Sequence, residues 1–185
     1  TTGDKNTAVG ANALSANTTG TLSVAVGFDA LKNSTGGLAT AVGTFAADAH
    51  TTGAYTTAIG YSALGAVTTG QANTGVGHQA GASVTTNSNN TAVGYNALVN
   101  STGSSNTAVG SQSLDANTTA SNNTAVGKAA SGANTTGDDN VAVGSGALDA
   151  NTTGSHLAAL GYGSLGANTT ASNNTALGHL ALAVN

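Results

Sequence analysis

The side chains best suited to metal binding or acid–base work are four histidines, His50, His78, His156 and His179, and seven aspartates, Asp4, Asp29, Asp48, Asp115, Asp138, Asp139 and Asp149. A zinc site needs ligands at short, paired spacing. These histidines are scattered, and the chain has no cysteine to complete a site. Asp138-Asp139 is the one adjacent carboxylate pair; a solvated turn explains it as well as a loosely held cation does. The Gly- and Asp-rich nonapeptide of calcium-binding β-rolls is missing. Serines are plentiful, yet none sits in a Gly-x-Ser-x-Gly turn between a strand and a helix. The expectation is no catalytic residue, no cofactor, no metal and no enzyme activity.

What must position any binding group is a repeat. The stretch Asn6-Thr7-Ala8-Val9-Gly10 returns eleven times, ending at Asn174-Thr175-Ala176-Leu177-Gly178. Its closing glycines are 17 residues apart, except for two spacings of 16. A fixed period over a whole chain marks a repeat architecture. Three and four residues after the glycine comes an Ala-Leu pair, as at Ala13-Leu14 and Ala147-Leu148. A turn such as Asn134-Thr135-Thr136-Gly137 closes the unit. Residues 1–185 thus read as a single repeat domain. Both ends fall inside the repeat without polar caps, and the C-terminal register runs into that of the N-terminus. This predicts a segment of, or unit in, a longer fibre.

Composition narrows the function classes. The chain has 5% charged residues, a net charge of −4, 27 glycines and no proline. Its three cations, Lys5, Lys32 and Lys128, are too few to neutralise a phosphate backbone, which argues against nucleic acid. No apolar run is long enough to span a bilayer, so membrane insertion is not expected.

The apolar pattern has period 2, the mark of strands. The predicted fold is an all-β parallel solenoid, or β-roll. It has about eleven coils and two short strands per coil, with tight turns at Gly and Asn-Thr-Thr-Gly. Coils stacked about 4.8 Å apart make a rod on the order of 50 Å long. Alternation places Val9, Val26, Val42, Ile59, Val76, Val93, Val109, Val126, Val143, Leu160 and Leu177 on one face. Being branched aliphatics throughout, they are read as the inward column, with the Leu of each Ala-Leu pair as a second. The opposite column is Ala8, Ala25, Ala41, Ala58, Ala92, Ala108, Ala125, Ala142, Ala159 and Ala176, with Gly75 as its one exception. It is read as outward. A row of small residues lets two surfaces approach closely, so this column is the expected oligomer interface.

The position after each repeat glycine varies most. Tyr61, His78 and Tyr95 occupy it on consecutive coils. They would stack into a strip, and aromatic groups with polar neighbours suit sugar rings. Rows of Thr on a regular face suggest ice binding as the alternative function.

Asn-Thr-Ala-Val-Gly, Ser23-Val24-Ala25-Val26-Gly27 and Tyr55-Thr56-Thr57-Ala58-Ile59-Gly60 resemble the head repeats of YadA-like trimeric autotransporter adhesins. They are also similar to repeats of phage tail-fibre proteins. The likeness runs the length of the chain, although the unit is longer here by its Asn-Thr-Thr-Gly segment. The resemblance implies a left-handed parallel β-roll and three chains side by side. It also implies attachment to surfaces or host molecules, on a cell-surface or virion fibre outside the cell. The expected partner is the chain itself, as a homotrimer or a head-to-tail polymer, with surface glycans as a further expected contact.

Overall fold

A computed structural model describes residues 2–184. Eleven parallel strands, β1 (Thr7–Val9) to β11 (Thr175–Leu177), form one sheet in chain order. Neighbours pair position for position: Ala8 lies opposite Ala25, Ala25 opposite Ala41, and Ala58 opposite Gly75. The two short repeats keep this register, with Val26 opposite Val42 and Val93 opposite Val109. Their missing residue is therefore absorbed in a turn. The chain is a β-solenoid of stacked coils.

Each coil has one strand, not two. The Ala-Leu segment is a run of tight turns, because its residues adopt left-handed backbone: φ is +49° at Leu31, +54° at Leu98 and +53° at Asn96. Such a conformation costs an L-residue about 1–2 kcal/mol. Burying the leucine offsets that by about 1.5–3 kcal/mol. Bonds between coils add to it: the Leu64 amide donates to the Ala80 carbonyl at 2.9 Å, and Leu98 donates to Ser113 at 3.0 Å.

The two strand faces are the reverse of the sequence expectation. The alanines point in and the branched aliphatics point out. Ala25, Ala41, Ala58, Ala92, Ala108, Ala125, Ala142 and Ala159 are 0% exposed, and Ala176 4%. Ile59 and Leu160 are each 40% exposed. Ala8 shares the inward register, but it is exposed in the outermost coil. The reason is width. The turn leucines cross the coil and reach the strand, as at Gly75, where an added Cβ would lie 2.8 Å from Leu64 Cγ. Across so narrow a coil there is room for a leucine facing an alanine. A valine there would overpack, and overpacking outweighs the gain from burying two more methyls. Val9, Val26, Val42, Ile59, Val76, Val93, Val109, Val126, Val143, Leu160 and Leu177 therefore do not form the core column. The leucine column does lie inside, with Leu31, Leu64, Leu98, Leu114, Leu148 and Leu165 fully buried.

Polar ladders hold the coils in register. Asn106 accepts the Asn123 amide on its Oδ1 at 3.0 Å, and its Nδ2 donates to the Ala120 carbonyl at 2.9 Å. Asn90, Asn123 and Asn140 repeat this pattern. Buried amides are thus satisfied by the coil above or below. After each strand, the repeat glycine needs a backbone that only glycine tolerates: Gly94 has φ +134°, and a Cβ there would lie 2.6 Å from the Gly110 carbonyl oxygen.

Candidate functional site

The outer sheet face is the most extensive unpartnered feature of the rod. It is two columns wide. One is the Val9-to-Leu177 column; the other begins at Thr7 and runs through Val24, Thr40, Thr57, Thr74, Thr91, Thr107, Thr124, Val141, Ala158 and Thr175. Neither column holds a charged residue. Exposed sheet surfaces ordinarily carry charges, lysine above all, that discourage association. An uncharged aliphatic stripe along the whole rod has the composition of a contact surface. Apart from Ala8, the alanines expected to be that contact are enclosed within the coil.

The Tyr61–His78–Tyr95 strip forms as expected and is longer. Phe28, Phe45, Tyr61, His78 and Tyr95 make a five-ring row along one turn edge. Tyr61 and His78 are 5.3 Å apart with planes 12° from parallel, and His78 and Tyr95 are 5.4 Å apart at 19°. Rings this close lie over one another and not side by side. His78 thus has a ring neighbour on each side, while the next coil beyond Tyr95 carries Ser111 in place of a ring.

The histidines are kept apart by the coils. His50 is fully buried in place of a turn asparagine. Its Nδ1 lies 3.0 Å from Ser34 Oγ, and its Nε2 has no partner. Burial holds its pKa below the ordinary imidazole value. Ser34 is also 0% exposed, so this Ser–His contact is closed to any substrate. His156 lies 3.7 Å from Asp139 at the surface, and His179 stacks on Tyr162. Asp115 and Asp149 lean over Gly132 from the coils on either side of it, their Oδ1 atoms 3.4 and 3.2 Å from where its Cβ would be. Burial raises the Asp115 pKa, and the charge of Asp149 adds to the rise. Among the described residues no three His, Cys, Asp or Glu side chains converge.

The threonine rows are engaged internally. Thr118, Thr135 and Thr152 each donate their hydroxyl to the next coil's carbonyl at 2.9–3.0 Å. These bonds stitch the coils together and take up the donors an ice-binding row would present.

One concavity was not anticipated. A trough of about 420 Å³ crosses the turn edge of the last coils, between Lys128 and Tyr162. Its sequence signal is a run of small residues, Ala129, Gly146 and Gly163, where other coils carry Asn12, Asp29, Phe45, Ser62, Gln79, Asn96, Gln112 and Leu180. The run is visible only once the coils are aligned. No family model matches the chain, and no curated protein or solved structure does either.

Proposed function

We propose that the chain is a rigid segment of an extracellular adhesive fibre whose copies associate side by side through the outer sheet face. The observation that carries this reading is the charge-free aliphatic stripe, continuous over all eleven strands and exposed or half-buried on the single chain. A second copy has the same column at the same spacing, so parallel chains meet in matching register. The face is two columns wide, about 7 Å. That is narrow enough for three copies to close around one axis, as the resemblance implies. Head-to-tail stacking of copies is the second mode of association in this proposal. The turn edges, which carry the variable side chains, are left to contact surface glycans.

Particle mass by light scattering tests the association. The expected result is three chains, each of 17.4 kDa. The Val76→Lys/Val93→Lys/Val109→Lys variant should remain folded and dissociate to monomer, since these side chains lie outside the core. A wild-type monomer, or a variant that keeps the assembly, would contradict the reading.

A second reading concerns the same face. Eight of its eleven first-column residues are Thr, beside the Val column, which makes a regular uncharged Thr-x-Val lattice suited to ordering water as ice. It applies if the chain is a monomer with the face free, and thermal hysteresis then decides it.

A further inference from the structure

The trough at the C-terminal turn edge brings an aromatic ring and a concavity together. Tyr162 stacks on His179 of the next coil, with centroids 5.3 Å apart and planes at 15°. Its opposite face is turned toward the preceding coil, whose equivalent residue is Ser145. Serine has no ring to cover it. Like Tyr95, Tyr162 therefore has a ring on one side only, and of the two it is Tyr162 that lines the trough.

The floor is backbone. An added Cβ at Gly146 would meet nothing within 4 Å, and Leu180 closes one end by lying over Gly163. Polar groups line the sides. Lys128 has no carboxylate within ion-pair distance among the described residues, unlike Lys5 and Lys32. Asp149 and the Ser145 hydroxyl complete the lining.

We infer that this trough binds one pyranose ring of a glycan. The apolar C–H face of the sugar would lie on the free side of Tyr162. Its hydroxyls would donate to Asp149 and accept from Lys128 and Ser145. The volume falls within the usual range of small-ligand sites, about 300–1,000 Å³. An aromatic platform ringed by a few convergent polar groups is the chemistry a pyranose requires. This inference rests on the proposal that the fibre contacts glycans, and it locates the contact away from the Tyr61–His78–Tyr95 strip.

The test is saturation-transfer NMR on the whole protein, with a panel of methyl hexopyranosides, N-acetylhexosamines and hexuronic acids. At least one should receive saturation on the protons of one ring face. The effect should fall at least tenfold in Tyr162→Ala and in Gly146→Asn. The second variant fills the trough with the residue found at this turn position in Asn12 and Asn96, whose φ of +57° and +53° is close to the +65° of Gly146. It should therefore fold normally. Tyr61→Ala and Tyr95→Ala should leave binding unchanged. Binding lost in those two variants and retained in Tyr162→Ala would overturn the trough while leaving glycan contact standing. No transfer from any sugar would overturn both, and would leave side-by-side association to be judged by particle mass.

Discussion

Ala108 and Val109 are adjacent in one strand and have opposite constraints. Ala108 is 0% exposed and lies in one buried cluster with Leu98 and Leu114, while Val109 lies on the outer face. Inside, the limit is volume, so the column accepts alanine or glycine and nothing larger. Outside, Val, Ile and Leu interchange freely. Ala108→Val should destabilise the fold by about 1–3 kcal/mol, the usual cost of overpacking a tight site. Val109→Ala should change the stability of the single chain by less than about 0.5 kcal/mol, while weakening association. Urea unfolding of both variants in the dissociated state measures the difference. A larger loss for Val109→Ala would mean that the column assignment is wrong.

At the scale of the coil, strand, turns and ladders each depend on the coil above and below. The turn asparagines illustrate this: Asn151 Nδ2 donates to Asn134 Oδ1 at 2.9 Å and to Gly154 O at 3.0 Å. Ser34, His50, Val67, Val84 and Ser101 interrupt that asparagine ladder, and His50 is buried with one ring nitrogen unpartnered. The folded coil thus favours the neutral imidazole. The unfolded chain takes up the proton first as pH falls, so stability is full above about 6.5, the ordinary imidazole value, and declines below it as pH approaches the depressed folded value. His50→Asn, which restores the ladder residue, should remove that decline between pH 7 and 5 in denaturant titrations. An unchanged slope would place the acid sensitivity elsewhere.

The repeat, its register and the parallel solenoid were legible in the sequence because period and alternation survive in one dimension. The face assignment was not. Alternation separates Ala58 from Ile59 without saying which is inside, and hydrophobicity alone favours Ile59. The deciding quantity is coil width, which emerges only when Leu64 reaches across to the strand. A sequence signal did exist: a column in which no coil exceeds alanine is limited by space on every side. The second strand was misread for a related reason. Its leucines look extended by pattern, but their backbone is left-handed, as at Leu64 with φ +49°. The stack of Tyr61, His78 and Tyr95 followed directly from the repeat register.

At the scale of the molecule, the core is one leucine and a few alanines thick. Its two buried clusters run the length of the rod with little depth. Solenoid stability accumulates coil by coil through neighbour contacts, and an aliphatic stripe on the outside gives a further surface to bury. The proposed side-by-side assembly would then have one cause: the coil is too narrow to enclose its own valines. The chain has no native cysteine, so a single introduced thiol reports on one position without ambiguity. The most direct test compares Ala92→Cys and Val93→Cys under mild oxidation. Val93→Cys should cross-link copies through a disulfide at the shared axis, and its thiol should be reactive once the copies are dissociated. Ala92→Cys should neither cross-link nor react while folded. Cross-linking through position 92 and none through position 93 would contradict the account.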